Sequence, residues 1–512
     1  AEMPKFRKIE YLVHFGETGD EPDTLIFYFQ HNKRKKEYFM THVSRRSFLK
    51  RISVLTATAG VAACSPWVIP GTALGLEGSV PPSERITMGL IGCGNHGIGW
   101  NLQMMALNPM QQVIALCDVD KNYLEAARQS AISLFSQRYG TPYKMCDTYT
   151  DFRDLVNRKD IDAVCIATPD HWHVLLAVFA MKAGKDVICE KPTLTIEEGR
   201  ILSDTQKKTN RVFQTASENR SIDSFQYMVN TVRNGHIGEL RNIKVLFPPG
   251  NTSARAPGIL SDEPNARVAG EVPPELDYET WLGPAPVVPY IPARVHYNWR
   301  WNFAYSGGVL TDWGSHLINI AQWANNTDDT GPVEVQGTGV FPDFNDVWNT
   351  PADFRINYRY QNGVKMEVWT EVPGVKFEGT KGWIMMRGWR QELRASDDKL
   401  LNLTFEGEQN LGRPESTVKA AAPVGGEHID FALSVKSRKP CYYTAECGHR
   451  NHTIAHIGNI SMLLGGAKLQ WNPDTEEFVG EHADEANKHF CYTRPQRDPW
   501  TFAKVDSWIN LG

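Results

Sequence analysis

Ile86-Thr87-Met88-Gly89-Leu90-Ile91-Gly92-Cys93-Gly94-Asn95-His96-Gly97 is the stretch that decides the fold. A short, mostly apolar, strand-like run passes without a break into G-x-G-x-x-G. After a strand and at the start of a helix, such glycines let the backbone turn tightly and approach a pyrophosphate. The helix N-terminus then offers free N–H groups to the anion. Gly92, Gly94, Asn95, His96 and Gly97 are therefore expected to touch a dinucleotide. The next apolar run, residues 113–117, ends at Asp118, at about the usual position of the carboxylate that binds the adenosine ribose hydroxyls. A carboxylate there repels a 2′-phosphate, and no Arg follows it, so NAD is favoured over NADP. The plainer alternative is that Asp118 only caps the following helix.

Working outward, apolar strands alternate with helical patterns. Residues 121–138 and 173–183 have helical spacing, the second stopped by Gly184; residues 163–167, 186–189 and 212–214 read as short buried strands. Such alternation requires a parallel, doubly wound α/β sheet of the Rossmann type, placed at residues 84–216. Residues 247–300 are rich in Pro and Gly, without period but punctuated by Trp and Tyr, and read as long loops beside a site. From Val333 the period becomes two. Residues 354–360, Asn362-Gly363 and residues 364–372 form a strong hairpin signal, and residues 382–387 add a strand. Helical stretches return at 428–436 and 445–464. Residues 217–512 are thus expected to form an α+β domain with an open, mostly antiparallel sheet and a C-terminal tail.

The N-terminal region carries an address of its own. Ser44-Arg45-Arg46-Ser47-Phe48-Leu49-Lys50, followed by an uncharged apolar stretch, reads as a twin-arginine export signal, with residues 40–75 as the signal peptide. Met40 is the expected natural start and residues 1–39 an upstream extension. Val61-Ala62-Ala63-Cys64 resembles a lipobox, which would place a lipid anchor on Cys64; the alternative is cleavage near Ala73. Either way the mature protein is expected in the periplasm or at the cell surface.

Residues 1–64 hold 11 Lys and Arg against 7 Asp and Glu, which leaves 43 basic and 52 acidic residues and a formal charge of about −9 in the remainder. An acidic chain without a basic stripe argues against nucleic acid as partner. No later apolar run is long enough to span a bilayer. The 9 cysteines form no C-x-x-C array, and those in strand-like runs, Cys117, Cys165 and Cys189, are expected to stay reduced and buried. The 15 Trp residues suit either carbohydrate-facing pockets or large cores.

Three further motifs follow in order: Thr168-Pro169-Asp170-His171-Trp172-His173, Glu190-Lys191-Pro192, and Gly307-Gly308-Val309-Leu310-Thr311-Asp312-Trp313-Gly314-Ser315-His316. With the glycine loop, their order and spacing resemble the Gfo/Idh/MocA oxidoreductases from about Arg85 to the C-terminus. Gly448-His449-Arg450 and Trp471-Asn472-Pro473 resemble the exported bacterial branch of that family.

The resemblance implies roles. Thr168, Pro169, His171, His173, Glu190 and Lys191 would join the cofactor contacts, Lys191 through a Lys–Pro peptide often cis in relatives. Asp312 and His316 would lie one helical turn apart on one face. His316 would remove the hydroxyl proton as the C–H hydride leaves, Asp312 would orient it, and Lys191 would stabilise the developing alkoxide. Asn319 stands where relatives hold a substrate hydroxyl, and Arg220, Tyr297, Arg300 and Trp301 are candidate substrate contacts. The family also implies a homo-oligomer. His449, His452 and His456 share a helical face with metal-like spacing, but no H-E-x-x-H is present, so the helix reads as structural and no metal is expected.

Export constrains the chemistry, because free nicotinamide cofactor is scarce outside the cytoplasm. The expected function is an NAD-dependent oxidoreductase with tightly held cofactor, moving hydride to or from a sugar, polyol or glycoside carbon. The alternatives are an NAD-dependent glycosidase or lyase that oxidises C3 transiently and eliminates, and a noncatalytic exported sugar-binding protein. The intact Lys191, Asp312 and His316 set argues against the last.

Overall fold

The computed structural model describes residues 24–30, 38–44, 80–250, 267–388, 391–419, 422 and 425–509. The twin-arginine motif, the lipobox and Cys64 lie outside the described residues. Strand β1 (Thr24–Gln30) pairs antiparallel with β2 (Tyr38–Ser44), and Met40 sits within this pair, opposite Tyr28. Residues 85–512 form a separate compact unit.

That unit begins with the doubly wound sheet. Strands β3 (Ile86–Ile91), β4 (Gln111–Cys117), β5 (Asp147–Tyr149), β6 (Ala163–Ile166), β7 (Asp186–Glu190) and β8 (Phe213–Ala216) are all parallel, in the order β5-β4-β3-β6-β7-β8. The sheet is covered on both faces, so β4, β6, β7 and the edge strand β8 are buried at every residue. The order reverses between β3 and β6, where a doubly wound sheet opens a ligand crevice at its carboxyl edge.

Helix α1 (Lys121–Tyr139) begins at Asp120, whose carboxylate accepts from the Asn122 and Tyr123 N–H groups, and it stops at Gly140. The capping role therefore falls to Asp120 and not to Asp118. Helix α2 (Asp170–Lys182) is buried over nearly its whole length, while α3 (Ile196–Thr209) is capped by Thr195 and ended by left-handed Asn210.

The second sheet has nine strands. β9 (Leu240–Phe247), β10 (Pro332–Val340), β11 (Asp353–Tyr360), β12 (Lys365–Thr370), β13 (Gly374–Gly379), β14 (Trp383–Arg387), β15 (Leu393–Ala395), β16 (Leu469–Asn472) and β17 (Glu477–Val479) run in the order β15-β14-β13-β9-β12-β11-β10-β16-β17. Every pairing is antiparallel except β9 with β12. The expected hairpin is β11–β12. In β11 burial alternates strictly, placing Phe354, Ile356, Tyr358 and Tyr360 on one face. Against that face pack α4 (Asp223–Arg233), α5 (Val309–Asn325) and α6 (Ala445–Leu463, which follows a further helix, Gly426–Ser437).

The chain after residue 217 also serves the first sheet. Phe431, Ala432 and Cys441 fill the core on one side of it. Trp500, Val505 and Trp508 fill the other, where Trp500 and Trp508 meet Phe152 edge-on or tilted. Burial of a side chain such as Phe431 or Val505 contributes about 1.5–3 kcal/mol. The eight described cysteines are all free thiols.

Candidate active site

A cavity of about 570 Å³ opens at the carboxyl edge of the first sheet. Its floor is the glycine loop. Gly92 has φ +93°, and a Cβ there would lie 2.5 Å from the Ala167 carbonyl carbon, so no other residue fits between these strand ends. A Cβ on Gly97 would collide with the Gly92 carbonyl oxygen, which places Gly97 under the loop and outside the cavity wall. Gly94 faces the other way: its absent Cβ would project into space with no atom within 4 Å. The loop is thus a cradle of exposed backbone, which fits a pyrophosphate.

Asp118 faces the same cavity. Its carboxylate accepts the Cys93 N–H at 2.6 Å and the Asp120 N–H at 2.8 Å. Burial pushes its pKa up to about 6, against the pull of these two N–H groups. Cradle and carboxylate together fit a dinucleotide bound by its pyrophosphate and adenosine ribose.

At the far end, α5 brings Asp312 and His316 to the wall one turn apart, beside Lys191 from the loop after β7. The Lys191 Nζ donates to Asp312 Oδ1 at 2.5 Å and to the Asp312 carbonyl at 3.2 Å. Burial alone would raise the Asp312 pKa, but the Lys191 ammonium and the Arg300 guanidinium hold it well below the usual range. The Lys191–Pro192 peptide is cis. His316 Nδ1 lies 3.0 Å from the Ser217 Oγ and 3.6 Å from Glu218 Oε2. Ser217 and Glu218 thus help to orient it, while Asp312 gives Oδ1 to Lys191. Burial, helped by the Lys191 charge, lowers the His316 pKa to about 3, so the imidazole is neutral at ordinary pH.

Asn95, His96, Thr168, Pro169, His173 and Glu190 also line the cavity, as do Tyr297 and Arg300. Glu190 accepts from Asn101 at 2.9 Å and pairs with His96 at 2.9 Å. Its burial works to raise the pKa, yet His96 and Lys191 prevail and hold it low. His173 sits between the Thr168 and Pro192 carbonyls, with Nε2 2.7 Å from the first and Nδ1 2.8 Å from the second, and its single N–H donates to one of them.

Four other candidates lie elsewhere. His171 is buried with Nε2 2.9 Å from the Trp281 carbonyl, packed against Trp281 and Tyr305. Arg220 and Asn319 meet each other at 2.7 Å in the interior, where Arg220 also makes a two-point pair with Asp328 and lies over Trp323 and Tyr443. Trp301 is core, its carbonyl held by Asn349 and Thr350 N–H groups. The ring facing the cavity is its neighbour Trp299.

Profiles of known families give the chain its place. The Gfo/Idh/MocA profile described as oxidoreductase family, NAD-binding Rossmann fold, matches residues 86–217, and its C-terminal alpha/beta domain profile matches residues 264–502. The chain belongs to the Gfo/Idh/MocA family. Glycosyl hydrolase family 109 protein 2 of Shewanella sp. (strain ANA-3) is 36% identical over 212 residues, 39% of this chain and 45% of its own. The alpha-N-acetylgalactosaminidase of Shewanella oneidensis is 32% identical over 211 residues, again 39% and 45% of the two chains. The match thus spans about half the length of these curated relatives. Among solved structures, the aldose-aldose oxidoreductase from Caulobacter crescentus, complexed with glycerol, has TM-score 0.54 at 16% identity over 75% of this chain and 99% of that one. Levoglucosan dehydrogenase, complexed with NADH and levoglucosan, has TM-score 0.52 at 18% identity over the same shares. These structural likenesses bear on the fold.

Within this Gfo/Idh/MocA chain, several cavity residues had no motif to announce them. Residues 276–305 lie across the crevice as a strap. Asp277 N–H bonds the Val119 carbonyl and Lys121 N–H the Glu275 carbonyl, fixing the strap to the end of β4. From it Thr280, Trp281, His296 and Trp299 reach the cavity. His296 holds φ +53° and lies 3.6 Å from the Asp120 carboxylate, its ring edge-on to Tyr123. The histidines of α6 also had a role to find. Thr193 N–H donates to His452 Nδ1 at 3.2 Å, and His456 Nε2 lies 2.9 Å from the Thr193 carbonyl, so both grip the loop that carries Lys191. His449 pairs with Glu476 at 2.8 Å, and no metal-type cluster occurs among the described residues.

Proposed function

We propose that this protein is an NAD-dependent oxidoreductase that moves hydride to or from a hydroxyl-bearing carbon of a sugar, polyol or glycoside, with its cofactor tightly held. The observation carrying this reading is that one cavity joins the Gly92–Gly94 cradle and Asp118 to Lys191, Asp312 and His316. NAD, when bound, supplies a hydride acceptor or donor. Gly92, Gly94, Asn95 and Asp118 would hold it, and the two acids at the ribose end, Asp118 and Asp120, favour NAD over NADP.

The chain's own groups then handle the proton. Neutral His316, steadied by Ser217 and Glu218, accepts the substrate hydroxyl proton in the oxidative direction. The Lys191 ammonium, held by Asp312, faces the developing alkoxide and stabilises it. In the reverse direction His316 returns that proton, while the Lys191 ammonium stabilises the alkoxide as it forms.

Export by the twin-arginine route belongs to the same proposal. A cofactor carried out of the cytoplasm must be regenerated in place, which calls for redox-neutral or two-substrate chemistry. The exposed face of β11, with Arg355, Asn357 and Arg359, and family membership support a homo-oligomer.

A second reading rests on the relatives named glycosyl hydrolase family 109: a glycosidase or lyase in which transient C3 oxidation acidifies C2–H and permits elimination. The experiment follows absorbance at 340 nm and aglycone release together, on protein purified without added nucleotide, while free sugars and aryl glycosides are added. Stoichiometric reduction by a free sugar supports the oxidoreductase. Aglycone release without net reduction selects the second reading. If bound nucleotide responds to neither, both readings fall.

A further inference from the structure

Most cations in the cavity wall are matched. Lys191 has Asp312 at 2.5 Å, His96 has Glu190 at 2.9 Å, His296 has Asp120 at 3.6 Å, and His316 has Glu218 at 3.6 Å. Arg300 is the exception among them. Among the described residues no carboxylate lies within ion-pair distance of it. Its guanidinium lies over the Tyr297 ring at 4.7 Å and the Trp299 ring at 4.3 Å, and spends one amino donor on the Tyr297 carbonyl at 3.2 Å.

This arrangement fixes the plane of the fork and leaves further edge donors available, which suits two-point recognition of a planar anion. A permanently charged group only partly exposed to water, with no carboxylate paired to it among the described residues, suits an anionic group in its ligand. The pyrophosphate of a dinucleotide already has the Gly92–Gly94 cradle and the helical turns Gly97–Leu102 and Gln103–Leu107 that follow it. The turn that bears Arg300, residues 296–301, packs against α5, which bears Asp312 and His316, so Arg300 belongs instead toward the Lys191–Asp312 end.

We propose that the substrate is an acidic sugar, a uronate or aldonate, whose carboxylate pairs with Arg300 while its carbinol carbon lies at Lys191 and His316. The inference rests on the oxidoreductase reading for the second half of that statement only. The carboxylate is a spectator; the C–H and O–H bonds that break are those already assigned.

The test uses the purified protein with its nucleotide bound. Calorimetry compares matched ligands: glucose with gluconate and glucuronate, galactose with galacturonate. The expected result is that at least one acidic sugar binds about tenfold or more tighter than its neutral partner. Arg300→Met should erase that preference at unchanged nucleotide content, and Arg300→Lys should retain part of it. Neutral sugars binding as tightly as acidic ones, or no sugar binding at all, would overturn the proposal. So would an Arg300→Met protein that loses its nucleotide but keeps the preference, because Arg300 would then serve the cofactor. An acidic sugar that binds through Arg300 yet never reduces the nucleotide upholds this inference and removes the oxidoreductase reading.

Discussion

The cavity has two walls of different origin. One is built from the ends of regular elements: the turn after β3, Asp118 after β4, Thr168 and Pro169 after β6, Lys191 after β7, and one face of α5. The other is the strap of residues 276–305, which has no long element of its own and is held by packing around Tyr278, Trp281, Tyr290 and Tyr305. The first wall derives its geometry from backbone rules that act locally, so spacing in the sequence carries it. The second derives its geometry from which aromatic ring meets which, and spacing carries almost nothing.

The sharpest way to break this contrast is at the first wall. Lys191→Met should lower the rate of sugar-driven nucleotide reduction about 10³-fold while nucleotide content stays the same, measured by stopped-flow absorbance. An unchanged rate would remove Lys191 from the chemistry. His316→Asn should cost about 10²-fold by the same measurement, with the remaining rate rising as pH rises because solvent must take the proton. Wild-type protein should show no acid limb from His316 between pH 5 and 8, since its pKa is lowered to about 3 and the base is already free.

The support beneath that wall should matter less. His456→Ala removes a partner of the Thr193 carbonyl and loosens the loop bearing Lys191. A loss of about tenfold in kcat with KM little changed is expected, together with about 1–3 kcal/mol of stability from the buried carbonyl left unpaired. A rate equal to wild type would make the grip on Thr193 purely structural.

The strap and the ribose end should show the smallest effects. His296→Ala should speed nucleotide loss only a few-fold on dilution, as one partly exposed contact allows. Asp118 has a raised pKa of about 6, so it takes up a proton below that pH and ceases to be a two-point acceptor for ribose. NAD binding favours the ionised form. Affinity should therefore be flat above about pH 6 and fall below it by up to about tenfold per pH unit. In Asp118→Asn, affinity should be weaker and lose this pH dependence.

The same contrast explains how far the sequence could be read. Both sheets and the β11–β12 hairpin follow from periodicity and turn chemistry, and they are present as expected; the helix joining Asp312 to His316, implied by the family resemblance, is present too. The parallel pairing of β9 with β12 was not visible, because nothing local to residues 240–247 specifies a partner more than a hundred residues on. Arg220 and Asn319 were substrate candidates through the resemblance to relatives, yet they satisfy each other in the interior, and only tertiary contact reveals that. Trp299 and Trp301 differ by two positions in an irregular turn; one faces the cavity and the other the core. The helix-face reading of His449, His452 and His456 as structural is consistent with their partners, but Thr193 lies far away in the chain and could not be named in advance.

The central claim is that one cavity holds NAD and lets Lys191, Asp312 and His316 work on a carbinol carbon. It is tested most directly by isotope transfer. Protein purified without added cofactor is mixed with sugars carrying deuterium at each carbinol carbon in turn, then denatured, and the released nucleotide is weighed by mass spectrometry. The account predicts stoichiometric NAD that gains one deuterium from a single sugar position, and no gain in Lys191→Met. A chain that releases no nucleotide and takes up none on titration, or nucleotide that never acquires deuterium from any sugar or glycoside, would contradict it.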